Sequence, residues 1–471
     1  MQGPVEIGSR LELFVDDLLV ESMERVSMRL HRAFPQPLAE SPLAISYTTV
    51  IRDGDLYRAY YRDCVPGYDG HMQDGNPGEI TCYAESRDGH EWAYPDLGVH
   101  EVRSQRGGNV ILADAAPYSH NFSPFLDSRP GVPEDERFKA LAGISAFGPE
   151  QKPTPGSGLH TFASPDGIHW RMTSDAAVIA YNPELHGKIA FDSQNVAFWS
   201  EAEGRYVAYF RHMKTPGGAL RTVSRATSED FREWRDESAT FTPPNLASEH
   251  LYTSQTHPYF RAPHIYVALP SRFAHGQIMG RPVPGERWGA ANVGSTDIMF
   301  MSTRAGSDSF QRTFEEAFMR PGLDPKNWEN RANYVALNVV PTGPAEMSIY
   351  HLSGHRYTLR TDGFASANAG AQAGELVTRP LVFEGDTLCV NYSTSIAGSL
   401  QVEIRDHNGT PVPGFSLDDS PPMVGDAIEE DVKWKGDSDL RALAGRPVQL
   451  RFVMRDCDLY AFRFGTTRGK R

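Results

Sequence analysis

Short runs of alternating apolar and polar residues, each closed by a polar turn, recur along most of this chain. GLHTFASPDGIHW (158–170) is one such unit: an alternating run, then Ser-Pro-Asp-Gly, then Trp170. ITCYAESRDGHEW (80–92) and LRTVSRATSEDFREW (220–234) repeat it, while DIMFMSTRAGSDSFQR (297–312) and HRYTLRTDGFAS (355–366) are degenerate copies. Each copy carries an aspartate in its turn: Asp88, Asp166, Asp230, Asp308 and Asp362. Two further runs precede every copy, for example YTTVIR and DLYRAYYR, or QNVAFWS and RYVAYFRH. Alternation with β-branched and aromatic enrichment predicts strands. Antiparallel units of this length cannot bury both faces alone, so a closed ring of them is expected. The expectation is an all-β chain, with a five-bladed β-propeller over residues 1–366 followed by a C-terminal β-sandwich over residues 375–466.

The pattern changes after the fifth copy. The Ala/Gly stretch from Ala365 to Gly374 reads as a linker. LCVNYSTS, SLQVEIRD, DVKWKG, VQLRFVMRD and LYAFRFG then follow as short strands at sandwich spacing. Their aromatics fall inside strand patterns, which favours a packing role over a carbohydrate-binding surface. At the other end, SRLELFVDDLLVE (9–21) reads as a strand that completes the last blade, with Asp16 and Asp17 as surface turn residues.

Composition narrows the partners. A formal charge of −14 argues against nucleic acid and anionic membrane surfaces. No apolar run approaches the roughly 18 residues of a membrane helix. The first residues lack the basic and apolar regions of a signal peptide. That leaves the compartment open between a processed secreted or periplasmic protein and a cytoplasmic one. Cys64, Cys82, Cys389 and Cys457 have no metal spacing and read as buried free thiols. No cofactor is expected, although a structural calcium ion is compatible with the sequence. Oligomeric state is not legible here.

The five turn aspartates are too regular to form one active site. Their carboxylates are expected to accept backbone amides, with the following Trp packed between blades. The turn resembles the Asp box of sialidases and other propellers.

Chemistry is expected where the inner strands of a propeller begin, because backbone from every blade converges there. Those positions hold Glu40, then His120 and Asn121, then Asp192, Gln194 and Asn195. The fourth blade adds Glu249, His250, Gln255 and His257, and the fifth adds Asn330 and Arg331. Two long loops share that face. One carries Tyr68, Asp69, His71 and Asp74; the other carries Arg272, His275, Arg281, Arg287 and Trp288. Carboxylates, amides, histidines and aromatics on one concave face suit a carbohydrate.

On these residues the chain resembles the five-bladed propeller glycosidases of glycoside hydrolase families 32 and 43. The resemblance implies hydrolysis of a glycosidic bond by axial carboxylates. Asp192 corresponds to the aspartate that orients the acid or stabilises the transition state, and Glu249 to the general acid. Glu40 stands near the place of the first-blade carboxylate, with Asp69 as its competitor; the family 32 motif Asn-Asp-Pro-Asn-Gly is absent. His120, Asn121, Gln194, Asn195, His250, Gln255, His257, Arg272 and Arg331 are then the expected substrate contacts. An exo-acting enzyme on a terminal sugar is the leading expectation. A sugar phosphorylase or lyase using the same pocket, or a non-catalytic carbohydrate-binding propeller, stands beside it.

Overall fold

A computed structural model describes residues 3–148, 150, 152–214, 219–241, 249–275, 293–436 and 439–466. Strands dominate throughout, so the chain is all-β. It divides into two compact units: Ala33–Thr358, and Met1–Arg32 together with Leu359–Arg471.

In Ala33–Thr358 the repeated strand triplets form successive antiparallel sheets. Sheet 1 is Thr49–Asp53, Leu56–Cys64, Glu79–Ser86 and Val110–Leu112. Sheet 2 is Ser123–Leu126, Phe138–Ile144, Gly158–Ser164 and Arg171–Met172, with Ile179–Ala180 beside the third strand. Sheet 3 is Val196–Ser200, Arg205–His212, Thr222–Ser228 and Trp234–Asp236. Sheet 4 is His257–Tyr259, Ala262–Ala268 and Met301–Arg304. Sheet 5 is Val340–Gly343, Glu346–Tyr350 and Arg356–Arg360, closed by Phe34–Pro35. First strands of neighbouring sheets lie side by side: sheet 1 against 2 and 5, and sheet 3 against 2 and 4. Val339, just ahead of sheet 5, donates its amide to His257 of sheet 4 at 3.0 Å. Val50, Phe125, Phe198, Pro258 and Val340, one from each first strand, line a single cavity of about 340 Å³.

The Asp turns have the expected local role in three copies. Asp88 accepts the amides of His90 and Glu91, Asp166 those of Ile168 and His169, and Asp230 those of Arg232 and Glu233. Trp92 packs edge-on against Tyr350 of sheet 5, and Trp170 against Tyr60 of sheet 1. The last two copies differ. Asp308 is exposed in an unlike turn, and Asp362 is buried in the other unit, where Asn391 donates to it. The fourth copy also splits. Ser271–His275 and Gly294–Ile298 pair with His250–Leu251 as a separate three-stranded sheet.

In the second unit all ten strands share one hydrogen-bonded network. LCVNYSTS and SLQVEIRD are one strand, Thr387–Asp406, and VQLRFVMRD and LYAFRFG are another, Val448–Gly465. The two pair antiparallel along their length, with irregularities at Asn391/Tyr392 and Thr394/Ser399. These irregularities let strands bend without breaking, which the sequence reads as separate short elements. Tyr392, Trp434, Phe452, Phe462 and Phe464 are buried in this unit's own core.

Two boundaries differ from expectation. Residues 1–32 belong here and not with the sheets of Ala33–Thr358. Val5–Gly8, Glu12–Leu13, Val20–Glu24 and Val26–Leu30 pair with strands after residue 364. Phe14, Val15 and Leu19 anchor this segment, and Asp16 is buried, its carboxylate accepting the Leu18 amide. The expected linker is strand as well: Ala365–Ala369 lies between Val26–Leu30 and Val448–Gly465. Its alternate alanines, Ala365, Ala367 and Ala369, are fully covered. A Cβ on Gly374 would stand 2.5 Å from the Arg25 carbonyl oxygen. Small residues here permit close strand packing; a linker would not need it.

Candidate active site

Four first strands are entered through a left-handed residue two positions upstream: Tyr47 (φ 50°), Asn121 (φ 51°), Gln255 (φ 50°) and Asn338 (φ 78°). Each costs about 1–2 kcal/mol and persists only where its surroundings hold it. Gln255 is held by its own hydrogen bonds, donating to Gln194 Oε1 (2.8 Å) and the Val335 carbonyl (2.7 Å). Gln194 in turn donates to Thr49 Oγ1 (2.8 Å). The strand entrances of sheets 1, 3 and 4 are thereby tied together.

Above this ring lies a dense ionic cluster. Arg62, near the end of Leu56–Cys64, approaches Asp74 (3.3 Å), Asn121 Oδ1 (3.0 Å) and Glu79 (3.9 Å). Glu79 opens the next strand and lies 2.9 Å from His120 Nδ1. Both members of this pair are buried. Burial opposes their charges, but mutual attraction outweighs it, with Arg62 also assisting the carboxylate. Glu79 is held below the usual carboxylate range and His120 above the usual imidazole range. Arg62 also lies over the Tyr47 ring at 4.5 Å, and Tyr47 stacks on Tyr334 and hydrogen-bonds Tyr252. With Ser46, Met72 and Arg106, the residues Arg62, Asp74 and Glu79 line a cavity of about 430 Å³.

Asp192 completes the cluster. Its side chain makes no hydrogen bond among the described residues. Burial, and then the Asp74 carboxylate, push its pKa upward against the pull of Arg211, His120 and Arg331. Asp74, His120 and Asp192 each offer a ligand atom within 4.8 Å of the others. These residues do not fit a calcium ion, which takes six to eight oxygens. His120 is engaged by Glu79 and Asn121, and Arg62, Arg211 and Arg331 bring positive charge to the same spot.

The structure brings together Asp192, His120 and Asn121 of the sequence-derived set, and Arg331 reaches the same cluster through Tyr252 (5.3 Å). It separates the other proposed catalysts. Glu40 is exposed, and its amide bonds Glu91 beyond the Asp88 turn, at the opposite end of Glu79–Ser86 from Glu79. Asp69 is exposed, and its loop presents Asp74 instead. Glu249 is paired with Arg312 (2.6 Å) and Arg272 (3.2 Å). Although burial opposes it, those arginines hold Glu249 below its ordinary range, the reverse of what a proton donor needs.

Several proposed contacts are joints of the fold. His257 donates from Nδ1 to the Gln255 carbonyl and accepts the Val339 amide at Nε2, and burial lowers its pKa to about 4. Gln194 and Gln255 tie sheets together, as described. Asn195 donates to the carbonyls of Phe191 and Ser193 and accepts the Arg211 amide. His250 accepts the Arg221 amide. Arg272 is committed to Asp297 (2.6 Å) as well as Glu249. Arg281, Arg287 and Trp288 lie outside the described residues.

Arg62, Glu79, Arg211, Arg221, Tyr47 and Tyr252 were not singled out by sequence. One signal was available: AYYR (59–62) and AYFR (208–211) end the second strands of two repeats with an arginine.

No protein-family model and no curated protein matches the chain. Solved structures resemble it over most of its length. One is the Bombyx mori family 32 β-fructofuranosidase, at 10% identity and TM-score 0.40, covering 93% of this chain and 94% of that one. Another is an exo-β-1,3-galactanase from Phanerochaete chrysosporium, at 8% identity and TM-score 0.40, covering 93% and 100%. A third is an N-acetylgalactosamine deacetylase from F. plautii, at 13% identity and TM-score 0.41, covering 92% and 95%. At such distances none of them transfers a residue role or an activity to this chain.

Proposed function

We propose that this protein is a glycoside hydrolase acting on a terminal sugar, and that its five sheets form the propeller carrying the site. The observation behind this reading is a pair of unlike carboxyl groups. Asp192 is half-buried, with its pKa raised by desolvation and by Asp74, whereas Asp74 is paired with Arg62 at 3.3 Å. Two carboxyl groups whose surroundings differ in this way suit a proton donor and a charged partner.

In the proposed reaction Asp192 protonates the leaving oxygen as the glycosidic C–O bond breaks. The Asp74 carboxylate forms an ester bond to the anomeric carbon. Asp192, now a base, takes a proton from water; the water oxygen attacks that carbon and releases Asp74. Ligand atoms of the two residues lie within 4.8 Å of each other, short of the roughly 6.5–9.5 Å of inverting enzymes, which favours the retaining route. Glu79 and Arg62 hold His120 and Asp74 in place.

The test compares leaving groups. Asp192→Asn should lower turnover of an alkyl glycoside by about two or more orders of magnitude. It should spare much of the turnover of a nitrophenyl glycoside, whose leaving group needs no proton. Equal losses on both substrates would remove Asp192 as the acid.

A further inference from the structure

We propose that the turn over residues 104–107 forms a subsite for a second sugar unit, so that the leaving group is itself a sugar and the substrate is a disaccharide or a longer chain; this rests on the cavity around Asp74 being the glycosidase site.

The cavity of about 430 Å³ falls within the roughly 300–1,000 Å³ of sites that take drug-sized ligands. Of its lining, Tyr61, Asn76 and Glu79 are buried, Asp74 is half-buried, and Met72, Gln105 and Arg106 are exposed. That gradient marks a closed end and a mouth. A terminal sugar at the closed end directs the rest of its chain past the exposed residues.

The turn at the mouth is firmly built. Ser104 and Gly107 exchange backbone hydrogen bonds of 2.8 and 3.2 Å. Ser104 Oγ donates to Asn109 Oδ1 (2.5 Å) and accepts the Arg106 amide (3.0 Å). Asp63, beside Arg62, accepts the amides of Cys64 (2.8 Å) and Gln105 (3.2 Å), one on each carboxylate oxygen. Arg106 lies 4.7 Å from the Tyr94 ring. The Tyr94 hydroxyl donates to the Pro42 carbonyl (2.7 Å) and accepts the Ala44 amide (2.9 Å). Ala44, Ile45 and Ser46 line the cavity too, so this one ring restrains two parts of its wall. Beyond that ring contact, neither the Arg106 nor the Gln105 side chain bonds another described residue.

A ring contact occupies the face of a guanidinium and leaves its N–H edge, and holding Arg106 in advance lowers the ordering cost of binding. Its N–H groups can donate to sugar hydroxyls, while the Gln105 amide can both donate and accept. Met72 and Ile45 offer apolar surface to the C–H face of the same sugar ring. An apolar aglycone would instead desolvate Gln105 and Arg106 without replacing their hydrogen bonds to water.

The experiment is calorimetric titration of the whole Asp192→Asn chain with the methyl glycosides, benzyl glycosides and disaccharides of galactose, glucose, xylose and arabinose. At least one disaccharide should bind about tenfold or more tighter than the methyl and benzyl glycosides of its terminal sugar. Gln105→Ala or Arg106→Ala, each at an exposed turn position, should cut that preference to below about threefold. Disaccharides that all bind no tighter than their methyl glycosides overturn the subsite. So does a benzyl glycoside preferred over its disaccharide, or a preference that survives both variants. A wild-type chain that shows the preference yet hydrolyses no disaccharide overturns the hydrolase reading and leaves the subsite standing.

Discussion

His120 Nδ1 lies 2.9 Å from Glu79 Oε2, joining the entrance of sheet 2 to the third strand of sheet 1. The two shifts act at opposite ends of the pH scale. His120 is raised, so its contribution is complete below about pH 6.5 and lost as pH climbs through the folded pKa. Glu79 is lowered, so its contribution is complete above about pH 4.5 and lost as pH falls through the folded pKa.

Glu79→Gln should therefore cost most between about pH 4.5 and 6.5, on the order of 3 kcal/mol for a broken buried pair. Urea unfolding across pH 3.5–8.5 is the check. Parallel stability curves for the variant and wild type would show that the pair carries no such linkage.

His257 acts with the opposite sign to His120. Its pKa is lowered to about 4 because it is buried and neutral between Gln255 and Val339. The unfolded chain binds its proton first, so stability falls as pH drops from about 6.5 toward 4, by up to about 1.4 kcal/mol per unit. His257→Gln should flatten that slope, even though its stability at pH 7 is lower. An unchanged slope would place the acid sensitivity elsewhere.

Phe231 occupies the left-handed position (φ 67°) that Gly89 and Gly167 fill in the sister turns. Glycine would relieve about 1–2 kcal/mol of backbone strain. Losing the ring, which packs on Phe125, Tyr206 and Trp234, would cost about 3–5 kcal/mol. Packing wins, and Phe231→Gly should lower stability by about 2 kcal/mol. A thermal melt showing stabilisation would reverse that ranking. Asp166→Ala should cost about 1 kcal/mol through the lost amide acceptors and leave kcat unchanged.

Asp192 and Glu249 should part company on mutation. Asp192→Asn should lose turnover of alkyl glycosides, as proposed above. Glu249→Gln should stay within about threefold of wild-type kcat while losing about 1–3 kcal/mol of stability, since Arg272 and Arg312 lose a charged partner. A hundredfold loss of kcat in Glu249→Gln, with its fold intact, would restore it as the acid.

Much of the strand order was legible because period-two alternation is a local property that each segment carries with it. The Asp turns were legible for the same reason: Ser164, Asp166 and Gly167 make their hydrogen bonds within four residues. The N-terminal strand was placed in the wrong unit because alternation announces a strand without naming its neighbour. Glu12–Leu13 found its partner more than four hundred residues away, at Ala461–Phe462.

The sequence by itself determined the all-β class, the repeated strand triplets and the turn aspartates, since backbone geometry and short-range hydrogen bonds suffice for these. Only the tertiary structure decided how each carboxyl group is surrounded. Asp74, Asp192 and Glu249 look alike in the sequence. A carboxyl's chemistry is set by the charges within a few ångströms, and pairing with Arg272 and Arg312 holds Glu249 ionised while burial beside Asp74 favours a proton on Asp192.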